Sequence, residues 1–225
     1  MKIIFEEDGN DIIFRLTEFD QKYIKILDAC FYKKENDCYI KRFPKGINNI
    51  DKIKENYLKY AKTMFDQCGY FIEIPWQKGL QEFCSIINKT KIEWWLTGSC
   101  ATCIRGIGLN PHDIDIMVKS EYINEMNNIF SDHIIEPIVD TNGWVTRYFG
   151  VMFLHVRIDL AFDPSPELDK PQPCDYGLYA QQNLDEEIWN GYKIRIPPLD
   201  LQLHTNKLRG RTDRVDKIEK YLADR

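Results

Sequence analysis

The sequence has no basic surplus. Its formal net charge is −5 at pH 7, with a sequence pI of about 5.5. Proteins that wrap nucleic acid usually carry an excess of Lys and Arg, so nucleic acid is not the expected partner. There is no long apolar run either. Nothing approaches the roughly 20 apolar residues that a membrane span needs. The start, Met1-Lys2-Ile3-Ile4-Phe5, turns acidic at Glu6-Glu7-Asp8 before it could serve as a secretory leader, and the expected location is the cytoplasm. A second cysteine pair is missing as well. The seven cysteines are scattered, and only Cys100 and Cys103 form a Cys-x-x-Cys. A zinc site would want another pair or histidines at ligand spacing. The expectation is free, mostly buried thiols, with Cys100 and Cys103 one turn apart on a helix. Repeats and low-complexity tracts are absent too. What is present is a chain that is 44% hydrophobic and 13% aromatic. That is enough to build a core, in one large domain or a medium one plus a small one.

The chain reads as two parts. In residues 1–70, the runs Lys2–Phe5 and Asp11–Leu16 flank Glu7-Asp8-Gly9-Asn10, which is hairpin chemistry. Cys38–Phe43 is a third strand, ended by Pro44. Residues 49–67 then show helical spacing, with Ile50, Ile53, Tyr57, Leu58, Ala61 and Phe65 near one face and a stop at Cys68-Gly69. This makes a small β-rich unit of unknown role, a candidate for dimerisation or for covering a substrate. Residues 71–225 follow. Helices are expected at 80–88, 100–105 and 120–130, the last capped by Ser120. Strands are expected at 93–96, 113–118, 134–139, 144–149, 152–162 and 193–196, with a turn at Gly150. The Pro- and acid-rich 163–172 reads as a loop. Residues 199–208 and 211–222 close the chain as a charged helical tail. The pattern predicts an α/β (α+β) fold, a mixed sheet flanked by helices.

Chemistry concentrates in two patches. Trp94-Trp95-Leu96-Thr97-Gly98-Ser99 is followed, thirteen residues on, by Asp113-Ile114-Asp115-Ile116. On a strand, residues two apart share a face, so Asp113 and Asp115 project together while the isoleucines enter the core. Two carboxylates this close repel unless a cation lies between them. Hard cations such as Mg²⁺ take oxygen ligands of this kind. A third acid, Asp159, stands in the apolar run Val156-Arg157-Ile158-Asp159-Leu160-Ala161-Phe162. Its competing reading is an ion pair with Arg157 or Arg147. Gly98-Ser99, between a strand and a helix, offers backbone N–H groups to a phosphate, although Ser99 would serve equally as a helix cap. Trp94 and Trp95 are read as core. Trp144, Tyr148 and Phe153 are candidates to line an acceptor pocket, but strand aromatics usually pack. His112, next to Asp113, is read as shaping its loop.

These motifs resemble the nucleotidyltransferase superfamily, of the DNA polymerase beta-like fold. Its pattern is an apolar residue and Gly-Gly or Gly-Ser, a gap, Asp-x-Asp or Asp-x-Glu, and an acid on a later strand. Here it is matched by Leu96-Thr97-Gly98-Ser99, Asp113-Ile114-Asp115 and Asp159. The ending, a strand, Pro197-Pro198-Leu199-Asp200 and a helix with Lys207, Arg209, Arg211 and Arg214, is similar to the small antibiotic-modifying members. The resemblance implies a nucleotidyltransferase fold. It also implies Mg²⁺-dependent transfer of a nucleoside monophosphate, AMP from ATP or another NTP, to a hydroxyl, with release of pyrophosphate. Asp113 and Asp115 would hold two metal ions. Asp159 would join one and help deprotonate the acceptor. Gly98, Ser99, Lys207 and Arg211 would bind the nucleotide. A small aminoglycoside- or lincosamide-like acceptor suits the acidic chain, and a homodimer is compatible with the N-terminal unit. Modification of a protein or tRNA, and a non-catalytic nucleotide-binding module, are the alternatives.

Overall fold

The computed structural model describes residues 1–224. The hairpin forms as expected: β1 (Lys2–Asp8) and β2 (Asp11–Thr17) pair antiparallel. Gly9 makes the turn at φ +56°, a conformation that glycine adopts without a side-chain penalty. A short helix, α1 (Ile24–Ala29), and two strands, β3 (Lys33–Glu35) and β4 (Cys38–Pro44), follow. The sheet order is β1-β2-β4-β3. Neither α1 nor β3 was expected, because each is too short to show a period. Helix α2 (Ile50–Cys68) buries Ile53, Tyr57, Ala61, Met64 and Phe65, whereas Leu58 points to solvent and is not part of that face.

The second part begins with α3 (Trp76–Ile87), β5 (Trp94–Thr97) and α4 (Gly98–Cys103). Then come β6 (Ile114–Val118), α5 (Ile123–Ile129) and three long strands. These are β7 (Ile134–Asp140), β8 (Thr146–Leu154) and β9 (Val156–Pro164). A five-stranded mixed sheet results, in the order β5-β6-β9-β8-β7. Only β6 and β9 run parallel. A short α6 (Leu178–Gln182), the hairpin β10 (Asp185–Trp189) and β11 (Tyr192–Ile196), and helices α7 (Leu199–Leu208) and α8 (Thr212–Ala223) complete the chain.

Four local expectations are corrected. Gly150 is not a turn. It lies inside β8, where a Cβ would come within 2.6 Å of Ile138 Cγ1 and 2.9 Å of Ile138 Cα. The glycine is there for close approach of the neighbouring strand, and the chain reverses instead at His155. Ser120 is not a helix cap. It opens a 3-10 turn, and its own N–H is bound by Asp163 Oδ1 at 3.0 Å. Ser99 does not cap α4, which is preceded by Thr97. The segment read as a loop from 163 carries the end of β9 and a 3-10 turn at Pro166–Asp169.

The two sheets share one apolar core. Buried residues from Ile12, Phe14 and Leu16 through Tyr57 and Phe65 to Ile158 and Ile196 form a single continuous cluster. Polar bonds cross the same seam. Asn56 on α2 donates to the carbonyls of Ser131 and Ile134. Glu136 on β7, 1% exposed, accepts from Lys41 Nζ of β4 at 2.5 Å and from Tyr32 Oη at 2.9 Å.

Candidate active site

The parallel register of β6 and β9 builds the site. Asp115 sits opposite Asp159 on one side and opposite Thr97 on the other, so both acids emerge on the same sheet face. Asp113 lies just ahead of β6. One carboxylate oxygen from each of Asp113, Asp115 and Asp159 falls within 4.8 Å of the others. Among the described residues, this is the one such group of potential metal ligands. Gly98 closes the site from behind, at φ +66°, where a Cβ would lie 2.1 Å from Asp115 Oδ2. Only glycine fits that backbone against that carboxylate.

The three acids do not share one electrostatic environment. Burial pushes Asp113 upward, but a 3.1 Å contact with His112 Nε2 and the charges of His112 and Arg157 overcome it and hold its pKa low. Asp113 in turn raises His112. Asp159 is forked by Arg157, with Nε at 2.5 Å from Oδ1 and Nη2 at 3.2 Å from Oδ2. Burial, aided by the charge of Asp113, still leaves Asp159 raised. Arg157 is the counter-ion that the sequence offered as the competing reading. Arg147 is not a partner; it lies over the Tyr148 ring. Among the described residues, no cationic side chain is bound to Asp115. Burial and then the charges of Asp113 and Asp159 push it well above the ordinary carboxylate range. Three convergent carboxylates with one unneutralised member, all-oxygen in their donors, fit a hard divalent cation of the Mg²⁺ type.

A cleft opens in front of the acids. It is lined by Thr97, Gly98, Asp115 and Asp159 on the sheet side and by Thr205, Asn206, Arg209, Arg211 and Arg214 on the helical side. No carboxylate lies within ion-pair distance of Arg209, Arg211 or Arg214 among the described residues. Arg209 stands over the Tyr176 ring, and Arg211 is lowered by burial and by its two arginine neighbours. Lys207 does not join them; its Nζ pairs with Glu219 at 2.6 Å. Ser99 is 3% exposed, behind Gly98. Trp144 lines the cleft, whereas Phe153 is buried and stacked on Tyr60. Trp94 and Trp95 are core, as expected. Cys100 and Cys103 sit one turn apart on α4, with Cys100 buried.

One acid was missed. Asp175 lines the cleft, is 5% exposed, and is raised to about 6, chiefly by burial. It sits in a Pro- and Gly-rich connection with no periodic neighbours. Its backbone bonds, N–H to Thr205 Oγ1 at 3.0 Å and carbonyl from Thr97 Oγ1 at 2.8 Å, are invisible in sequence.

Residues 80–162, which run from α3 to β9 and hold all three acids, match the model of the aminoglycoside-2''-adenylyltransferase family. The structure is similar to that of a protein from Thermotoga maritima described as a nucleotidyltransferase. The two are 19% identical over 68% of this chain and 96% of that one, with a TM-score of 0.50. The chain has the nucleotidyltransferase fold. The mixed sheet with its flanking helices is the architecture expected from sequence. Two further structures share less. The lincomycin-bound lincosamide antibiotic adenylyltransferase LnuA is 14% identical, over 64% of this chain and 96% of that one, with a TM-score of 0.46. The antibiotic-resistance factor ANT(2'')-Ia is 11% identical, over 65% and 83%, with a TM-score of 0.44. No curated protein matches the chain by sequence. No helix among the described residues is long and apolar enough to cross a membrane.

Proposed function

We propose that this nucleotidyltransferase moves AMP from ATP to a hydroxyl of a small molecule, an antibiotic being the acceptor class that the family match favours. The observation that carries the reading is that two of the three convergent carboxylates, Asp115 and Asp159, face across one cleft three arginines that have no acidic partner among the described residues. The first set suits metal, the second suits phosphate. Asp113 and Asp115 would hold two Mg²⁺ ions and Asp159 would share one. Mg²⁺ supplies, when bound, polarisation of the phosphoryl oxygens and relief of charge on the leaving group.

The chain's own residues do the rest. Gly98 lets the backbone at 98–99 approach the triphosphate without a side chain in the way. Arg211, with Arg209 and Arg214, holds the β- and γ-phosphates and so stabilises departing pyrophosphate. The acceptor oxygen bonds to the α-phosphorus as the bond to the β-phosphate oxygen breaks, and that oxygen leaves with the electron pair. The hydroxyl proton passes to the carboxylate of Asp159, which Arg157 keeps aligned. ATP as donor places the reaction in the cytoplasm.

The test is pyrophosphate release from each NTP with Mg²⁺ against a panel of hydroxyl acceptors, together with calorimetric binding of Mg·ATP. Asp115→Asn and Asp159→Asn should each lose about 10²–10³ in rate, the range for removal of a group that stabilises transition-state charge. Wild-type rates and wild-type metal dependence in both variants would remove the assignment.

A further inference from the structure

The N-terminal part contributes one feature that the transfer site does not absorb. Phe31 follows α1 at the position where helices usually end in glycine. Its N–H bonds to Asp28 O at 3.0 Å and the next N–H, of Tyr32, to Leu27 O at 2.9 Å, the paired closure of a left-handed helix end. Phe31 accordingly has φ +64°. A bulky residue there is a backbone outlier, and outliers of this kind gather at binding sites. Its ring is not spent on the core, since Phe31 is 52% exposed. It meets Trp144 edge-on, with ring centroids 5.1 Å apart. Trp144, 44% exposed, is carried on a tied loop. Asn142 N–H bonds to Asp140 Oδ1 at 2.7 Å and Trp144 N–H to Thr141 Oγ1 at 3.1 Å.

Between these rings and β7 and β8 lies a groove of about 460 Å³, within the usual range of small-molecule sites. Trp144 and Phe149 line both this groove and the cleft that holds Asp115 and Asp159, so the two adjoin. Three cations, Lys33, Lys41 and Arg42, and one acid, Glu136, face the groove. Lys41 neutralises Glu136, and Arg42 is bound by Asp8 and Glu35. Lys33 has no acidic partner among the described residues.

We propose that this groove seats the acceptor, and that the acceptor is a hydroxyl-bearing molecule with a flat or apolar face and a neutral or negative charge. A polycationic aminosugar gains no counter-charge from a wall of aromatic rings whose acid, Glu136, is already paired with Lys41 and whose one cation without an acidic partner among the described residues is Lys33. The inference rests on the transfer reading above, but it assigns the acceptor's position and chemistry to Phe31, Trp144 and Lys33.

The probe is 6-(hydroxymethyl)-2-naphthoate, titrated into the full chain by fluorescence and calorimetry, with kanamycin as the polycationic contrast. Phe31→Asn keeps a residue that tolerates the left-handed conformation, so its Tm should be at or above that of the wild type. Its Kd for the naphthoate should rise at least tenfold, as should that of Lys33→Glu, while both bind Mg·ATP within twofold of wild type. Kanamycin should bind more weakly than the naphthoate. Naphthoate binding that is absent in the wild type, or unchanged in both variants, overturns the proposal, as does kanamycin binding more tightly than the naphthoate. If the groove binds the naphthoate as described but no Mg·ATP binds, the transfer reading fails and the groove assignment survives as a ligand site.

Discussion

Asp175 shows how a single residue can tie stability to pH at this site. Burial raises its pKa from the ordinary 3.8 to about 6 in the folded chain. Below pH 3.8 both folded and unfolded chains hold the proton, and the residue has no effect. As pH rises, the unfolded chain ionises first, and the folded chain must then carry a buried charge. Stability is therefore lost between pH 3.8 and about 6, by up to about 3 kcal/mol. Asp175→Asn removes the cost. Its Tm should match the wild type near pH 4 and exceed it at pH 8, and equal Tm values at pH 8 would contradict the assigned burial. This acid could not have been found from sequence, since nothing in Cys174-Asp175-Tyr176 reports depth. Asp113 and Asp115 were legible for the opposite reason. Their two-residue spacing maps directly onto one face of a strand, and Asp159 stood out as a charge in an apolar run. Their neutralisation was only half legible. Arg157 is two residues from its partner, whereas the proximity of Arg209, Arg211 and Arg214 comes from the turn between α7 and α8, far along the chain.

At the level of elements, hydrophobic periodicity located α2, α3 and the long central strands. It was silent on α1, β3 and β10, where three to six residues cannot show a period. The glycine signal was read for turning and in fact reported packing. Gly150 lets β7 lie close against its paired neighbour β8, where a Cβ would meet Ile138. Gly150→Ala should therefore cost about 1–3 kcal/mol through overpacking, lowering Tm by several degrees. A turn glycine with room around it would not behave so. The same substitution at Gly108, where a Cβ would meet nothing within 4 Å, is the control, and equal Tm losses at both positions would show that the Ile138 contact is not what constrains β8.

For the molecule as a whole, the open question is how the first 70 residues relate to the transferase sheet. The sequence pattern pointed to a small separate unit, because the helical spacing of residues 49–67 stops at Cys68-Gly69. The packing shows a seam with no apolar gap, sewn by an ion pair between Lys41 and the buried Glu136 and by the Tyr32 hydroxyl, which donates to the same carboxylate at 2.9 Å. Sequence could not announce this, since Lys41 and Glu136 lie 95 positions apart. A continuous core unfolds as one unit, so calorimetry should give a single transition with equal van't Hoff and calorimetric enthalpies. Lys41→Met strands the Glu136 carboxylate in the core and should destabilise by about 3–5 kcal/mol. The double change with Glu136→Met should recover most of that loss, because an apolar pair of similar volume needs no counter-charge. Both variants should keep the single transition. Two resolved transitions in the wild type, or a Lys41→Met variant that melts only its first 70 residues early, would show that the sheets fold independently and that the seam merely rests one on the other.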